Sequence, residues 1–355
     1  MVAGTGTTAL YFFFAVTMTT SSGLRMSPHP FPKPASSSAT PTKPIDLSFV
    51  ESSGCGSVSA AASASASASS DAPTTLFIHG LDSSSHTWRG VQESLPTPSI
   101  AIDCRGCGRS ALGEQADFAP DSVADDIKRL VDAHPLLRDH KFVIVGHSMG
   151  GRVGMSYTAK YPGDVAALVV EDMDIRRRSV QSNFIPNFDD EKAIAFERRH
   201  ATFDDVRKSF ADIGYPPDMV EKWIDEGRVY EISEDNGKGK STSVWSDVNP
   251  AFRALCYRTI FDSDCGSNAW TAISDHLLHT GNDISVHLMV AGIGTVCDDA
   301  SIQDMQKSMG KLLSVKTYPK GTHSIHNSVR DEFMADLLQV IEGTSVQKKE
   351  LRLEL

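Results

Sequence analysis

The sequence is short of the features that mark several protein classes. Its 6 cysteines in 355 residues are too sparse for a disulfide-stapled scaffold, and a chain of this size can bury a core without staples. Cys104 and Cys107 form a C-x-x-C. No second Cys or His pair with zinc-like spacing lies nearby, so the two read as small side chains in a Gly-rich loop rather than as a metal or redox pair. No apolar run approaches the roughly 18 residues that a bilayer span needs; near the start the longest is Ala9 to Val16. Basic clusters are equally scarce. The formal net charge is -11, and the one dense basic run, Arg176 to Arg178, is surrounded by acidic residues. That argues against a nucleic-acid partner, because phosphate contacts need clustered Lys and Arg.

Residues 1–45 contain neither Asp nor Glu, and carry Arg25, Lys33 and Lys43 among many Ser, Thr and Pro. This composition is that of an organellar transit peptide, for a plastid or a mitochondrion. The stretch LYFFFAV could instead be the apolar part of a secretory signal, although no charged region precedes it, and a plain tail on a cytoplasmic protein is the remaining alternative. Residues 52–72 include SAAASASASASS, which cannot build a packed core. The preceding PIDLSFVESSG alternates like an edge strand, so the Ala/Ser tract is expected to be a loop insertion between early strands.

From Thr74 onward strands alternate with helices. TLFIH (Thr75–His79), SIAID (Ser99–Asp103), KFVIV (Lys141–Val145) and AALVV (Ala166–Val170) are short apolar runs, of the kind buried on both faces of a parallel sheet. Between them, DSVADDIKRLVDA (Asp121–Ala133) places Val123, Ile127, Leu130 and Val131 on one helical stripe, and Gly150–Lys160 reads as a helix stopped by Tyr161-Pro162-Gly163. The pattern predicts an α/β fold with a mostly parallel, doubly wound sheet. After the sixth strand the rhythm breaks. Residues 175–280 are charged and helix-like, with helices expected at Asp189–His200 and Phe203–Ile213, and are read as a helical cap. The core then comprises residues 46–174 and 281–345, with strands at VHLMVA (Val286–Ala291) and SVKTY (Ser314–Tyr318), a closing helix at Asp331–Ile341, and a tail at 346–355.

Gly146-His147-Ser148-Met149-Gly150 is G-x-S-x-G, placed between a buried strand and a helix as a nucleophile elbow requires. Ser148 is therefore the candidate nucleophile. A serine hydroxyl needs a base, and Gly321-Thr322-His323, just after the last strand, supplies it; His326 is the competitor, read as an exposed loop histidine. An acid must hold the imidazole in the right tautomer. Asp172, at the end of the strand following the nucleophile helix, is the first choice, and Asp298 and Asp299 in the loop after VHLMVAG are the alternatives. The backbone amides of Leu81 and Met149 are the expected oxyanion-hole donors. His79, Gly80 and His147 flank the nucleophile and are expected to contact substrate. Asp103 and Arg105, in D-x-R-G-x-G-x-S, are expected to anchor that loop by charge-assisted bonds.

Together FIHGLDSSSHTW, DCRGCGRS, VGHSMGG and GTHSIH resemble the α/β-hydrolase family in order and spacing, from about residue 45 to the end. The most similar subgroup is the small esterases of the abhydrolase domain-containing protein 11 type, matched by Pro44–Ser48, His79–Leu81, Val145–Gly151, Val244–Asn249 and Gly321–His326. The chain departs from that group in having Ser324 where an aromatic follows the histidine, and IGTVCDD where a short carboxylate-, Asn- or Ser-bearing loop is usual. The resemblance implies a serine hydrolase that cleaves carboxylic esters or thioesters through an acyl-enzyme on Ser148, with no metal or organic cofactor. The alternative on the same fold is a binding scaffold or a C–C bond hydrolase or lyase. Phe184, Ile185, Phe188, Trp223 and Trp245 in the cap suggest an apolar acyl pocket, with core packing as their other use.

Overall fold

The computed structural model describes residues 24–26, 44–54, 72–179, 184–235, 240–280 and 283–353. The leader at 1–45 and the Ala/Ser tract at 52–72 lie almost wholly outside these residues. The chain opens with strands β1 (Leu24–Met26), β2 (Phe49–Ser52) and β3 (Thr75–Ile78), followed by helix α1 (Arg89–Ser94) and β4 (Ser99–Ile102). Helix α2 (Pro120–Ala133), β5 (Phe142–His147), helix α3 (Met149–Lys160) and β6 (Val165–Glu171) complete the first part. The cap follows, with helices α4 (Asp190–Ile194), α5 (Phe203–Ile213) and α6 (Pro217–Asp225), strands β7 (Arg199–His200), β8 (Val229–Asp235) and β9 (Lys240–Ser246), and helix α7 (Pro250–Cys256). Helix α8 (Cys265–Thr280), β10 (Ser285–Ile293), α9 (Asp299–Met309), β11 (Leu313–Thr322), α10 (Ile325–Ser328) and α11 (Arg330–Leu353) close the fold.

Among the described residues the main sheet has eight strands in the order β1-β2-β4-β3-β5-β6-β10-β11. The pairings from β4 to β11 are parallel, and β2 runs antiparallel to both β1 and β4. Strand alternation explains the unbroken apolar runs. In β5, Phe142 and Ile144 join the core under α2, α3 and α8, while Val143 and Val145 join the core under α1 and α11. All four are fully buried, each stabilising the fold by about 1.5–3 kcal/mol. Because the side-chain period is two and both faces are covered, every position must be apolar.

The cap follows β6 as expected but is not purely helical. Strands β7, β9 and β8 form a separate antiparallel sheet, with Tyr230 opposite Trp245 and Ile232 opposite Ser243. The helix expected over Asp189–His200 stops at Ile194, and Arg199–His200 pairs instead with β9. The cap has its own core of Ile185, Val206, Phe210, Ile213, Tyr215, Val220, Trp223, Val229, Val244, Val248 and Ala254. Helix α8, placed in the cap by its sequence, belongs to the main core: Trp270, Ile273 and Leu277 are buried against the sheet layer. No helix among the described residues is long and apolar enough to cross a membrane.

Candidate active site

Ser148 sits between β5 and α3 with φ 53° and ψ −121°, a conformation that non-glycine residues adopt only where surrounding structure enforces it. Gly150 makes the turn possible: a Cβ there would collide with the carbonyls of Ile78 and His79 in the neighbouring strand. The Ser148 N–H donates to the Glu171 carbonyl (2.8 Å) and the Gly151 N–H to the Ser148 carbonyl (2.8 Å), so the elbow is tied both to β6 and to its own helix.

His323, just beyond β11, has Nε2 3.0 Å from Ser148 Oγ and Nδ1 2.7 Å from Asp172 Oδ2. With the proton on Nδ1, the ring donates to Asp172 and accepts from the serine hydroxyl. Asp172 is wholly buried, the first residue past β6, at φ 47°. Its carboxylate accepts from the Ala291 amide (3.0 Å), Thr295 Oγ1 (2.5 Å) and the Val296 amide (3.2 Å) as well as from His323. Burial works against its charge, yet the bonds from His323, Thr295 and Ala291 prevail and hold the carboxyl below its ordinary range. The loop IGTVCDD thus brings donors to Asp172 instead of supplying an acid. Asp298 caps α9 by accepting from the Ser301 amide (2.7 Å) and pairs with Arg176 (3.3 Å), while Asp299 lies in the first turn of α9. Neither alternative acid is brought to His323.

Leu81 and Met149, the expected oxyanion-hole residues, follow directly on Gly80 and Ser148. Met149 opens α3, so its N–H has no intrahelical acceptor. Gly80 carries the chain over Ser148: a Cβ at that position would lie 3.2 Å from the Ser148 Cβ and 2.8 Å from His147 Nδ1. This loop is pinned from two sides. His79 Nδ1–H donates to the Gly80 carbonyl (2.7 Å) while its Nε2 accepts from the Cys104 amide (3.1 Å). From the cap, Tyr215 Oη–H and Arg253 Nε–H donate to the Asp82 carboxylate (2.8 and 3.0 Å), and Arg228 donates to the Asp82 carbonyl.

His79 and His147, expected to contact substrate, are both buried, His147 about as deeply as Ser148 itself. Burial pushes His79 down to about 4 and His147 to about 3, so both rings are neutral braces. His147 Nε2–H donates to the His323 carbonyl (3.0 Å) and fixes the loop that carries that ring. Gly80 is buried too and lets the chain pass close over Ser148 and His147. His326, expected to be exposed, is fully buried against Glu171. Asp103 and Arg105 hold their loop: Asp103 accepts from the Ser85 and Arg109 amides (2.8 and 3.0 Å), and Arg105 pairs with buried Asp126 at 2.6 Å. Cys104 and Cys107 are buried in the main core, and burial raises both thiols. No cluster of three or more His, Cys, Asp or Glu able to hold a metal occurs among the described residues. Of the cap aromatics, Trp223 is buried in the cap core and Trp245 Nε1–H donates to the Gly108 carbonyl (3.1 Å), whereas Phe184 is 73% exposed.

Sequence reasoning missed Thr295, Asp82 and Glu171. Thr295 alone left a signal, since the loop that carries it was conspicuous for bringing its carboxylates late.

A serine on a strand–elbow–helix turn, met by a histidine from beyond the last strand of a mostly parallel sheet, defines the α/β-hydrolase class. The chain belongs to the α/β-hydrolase fold family, whose model matches residues 73–254. It is similar to the 2-(acetamidomethylene)succinate hydrolase of Mesorhizobium japonicum, 33% identical over 189 residues, which cover 52% of this chain and 58% of that protein. It is also similar to the sn-1-specific diacylglycerol lipase ABHD11 of Danio rerio, 30% identical over 118 residues, or 32% of this chain and 36% of that one. The matched stretches therefore span about a third to somewhat over half of these relatives. Among solved structures, a marine microorganism esterase shares the fold with a TM-score of 0.58 at 18% identity, covering 83% of this chain and 99% of its own.

Proposed function

We propose that this protein is a serine hydrolase that cleaves carboxylic esters or thioesters through an acyl-enzyme on Ser148. The observation that carries the reading is the continuous hydrogen-bond chain Ser148 Oγ, His323, Asp172, at 3.0 and 2.7 Å. The Ser148 oxygen attacks the acyl carbon as His323 Nε2 takes its proton, and the Asp172 carboxylate stabilises the resulting imidazolium. The oxyanion of the tetrahedral intermediate accepts from the Leu81 and Met149 amides, each such donor contributing on the order of 10²–10³ in rate. The intermediate collapses by breaking the bond to the leaving oxygen or sulfur, which receives the proton from His323. Water then repeats the sequence: His323 takes its proton, the hydroxide attacks the acyl-enzyme, and the proton returns to Ser148 as the acid departs. The relative named as a diacylglycerol lipase supports a small-molecule ester as substrate.

The test is labelling with a fluorophosphonate probe, alongside hydrolysis of p-nitrophenyl esters and acyl thioesters of graded chain length. The wild type is expected to take up one probe per chain and to turn over short acyl esters, and Ser148→Ala to do neither. Equal behaviour of the two folded proteins would sink the reading. The acid-free composition of residues 1–45 supports an organellar address, which a fusion of that segment to a fluorescent protein would check.

A further inference from the structure

Beside the His323–Asp172 pair lies a second histidine–carboxylate pair for which the mechanism has no use. Glu171, the last residue of β6, is wholly buried, as is His326. Both Glu171 carboxylate oxygens lie 2.8 Å from His326 Nδ1, and Oε1 also accepts the His326 backbone N–H (2.9 Å). His326 Nε2 lies 2.9 Å from Thr87 Oγ1 and 3.0 Å from Asn327 Nδ2. The ring is wedged between Trp88 (centroids 4.3 Å apart), Phe333 (6.2 Å) and His147 (5.1 Å). Burying a carboxylate and an imidazole is costly, and an apolar pair of the same volume would stabilise a core at least as well. Stability alone therefore does not account for the pair, whereas its position does.

Consecutive residues at the end of β6 hold residues three apart in the terminal loop: Asp172 holds the His323 ring, and Glu171 holds His326 by both ring and backbone. The Glu171 carbonyl also accepts the Ser148 amide, and His147, packed edge-on against the His326 ring, donates to the His323 carbonyl. The geometry points to Glu171 and His326 as a positioning pair: a second strut that, together with the first, fixes the His323 ring between Asp172 and Ser148. Without it the loop is left with the His323–Asp172 bond to the end of β6 and the His147 bond to the His323 carbonyl, and the ring is held less firmly. The inference rests on the serine-hydrolase reading above and adds to it residues that touch no substrate. Burial opposes the charge on Glu171, but His326 facing it, together with the bonds that its ring and backbone donate, holds the carboxyl below its usual range. Glu171 is therefore ionised at neutral pH.

The test compares Glu171→Gln, His326→Phe and His326→Gln with the wild type. His326→Gln keeps a donor toward Glu171. Turnover of a p-nitrophenyl ester is expressed per active site counted by fluorophosphonate titration, and the low-field proton resonance of His323 Nδ1–H is recorded in each protein. Glu171→Gln and His326→Phe are expected to lose about tenfold to a hundredfold in kcat with KM unchanged, the cost of misplacing a reacting group by around 1 Å. Their low-field resonance should broaden or vanish, and His326→Gln should recover part of both. A purely structural role would lower Tm and the count of active sites while leaving kcat per site and the resonance intact, and that result would overturn the inference. If the wild type neither labels nor turns over, the hydrolase reading fails, and the resonance alone still decides whether the pair positions His323. Should Glu171→Gln not fold, His326→Phe and Thr87→Val carry the same comparison, and retention of wild-type kcat and resonance in both would overturn it.

Discussion

The sheet and the cap are built on opposite principles. The main sheet is held by side chains buried on both faces, and the catalytic candidates emerge from strand ends that this packing makes rigid. The cap has a small apolar core of its own, sends Phe252 and Leu255 of α7 into the main core, and also meets the sheet along polar seams. At one, Tyr215, Arg228 and Arg253 grip Asp82, next in sequence to Leu81. At the other, Arg198 donates to the carbonyls of Gly108 and Ser110, Trp245 to Gly108, and Asn249 to Gly106, while the Gly108 amide donates to the Asp247 carbonyl. Apolar burial is strong but indifferent to direction, whereas hydrogen bonds and ion pairs fix orientation for little net energy. The two regions thus divide the work: the sheet carries Ser148, His323 and Asp172 at its strand ends, and the cap grips the loop that passes over Ser148.

The largest expected effect lies on the sheet side. Asp172→Asn keeps the shape of the buried acid but removes its charge and favours the wrong His323 tautomer. A loss of about 10⁴ in kcat is expected, by analogy with other serine triads, with little change in the unfolding midpoint. Steady-state kinetics and urea unfolding on the same preparation check both halves, and a loss under tenfold would remove Asp172 from the mechanism. A smaller effect lies on the cap side. Asp82→Ala leaves the buried Arg253 guanidinium without its carboxylate, and the loop bearing Leu81 loses its clamp. The expected result is a drop of about tenfold in kcat/KM, matching one lost hydrogen-bonded contact of roughly 1.4 kcal/mol. If the cap were only a lid, Asp82→Ala would change KM across bulky substrates and leave the smallest ester unaffected; a uniform loss over all chain lengths is expected instead.

What could be read in the sequence divides along the same line. The sheet was legible because burial on both faces leaves uninterrupted apolar runs such as FVIV and ALVV, and because an elbow with glycines at 146 and 150 tolerates few sequences. Strand β8, VYEISED, carries exposed acids at Glu231 and Glu234 among its apolar residues and so read as a charged helical stretch. Helix α8 was assigned to the cap by its position in the chain, although Trp270, Ile273 and Leu277 already lie on one helical stripe, which the sheet claims. Within the site, Ser148, His323 and Asp172 each occupy a strand end, where topology constrains them. Glu171 and His326 are 155 positions apart, and no local pattern joins them; without the fold, a histidine after a Ser-Ile pair reads as a loop residue. Asp82 was hidden for the same reason, since its partners lie in the segment whose structure was least legible.

The smallest expected effect concerns the second seam. Asp247 lies partly buried between cap and core, its Oδ1 within 3.3 Å of Tyr230 Oη. Burial, and next the nearby Asp103 carboxylate, push it up to about 6, against the pull of Arg198, Arg228 and Arg109. A carboxyl whose folded-state value is raised holds its proton longer in the folded chain than in the unfolded one. Its contribution to stability is therefore fully present below the ordinary carboxylate value near 3.8 and is lost as pH rises through about 6. Asp247→Asn has nothing to titrate there. The wild type should lose ground to the variant as pH rises from about 4 to about 6 and lie about 2 °C below it at pH 7. Because the seam carries orientation more than stability, the shift should appear first in kcat/KM measured against pH and only weakly in global melting. Parallel melting curves and parallel pH profiles from pH 5 to 7 would show that the charge on Asp247 is matched by its three arginines, and that the cap seam is as insensitive to pH as the apolar sheet beneath it.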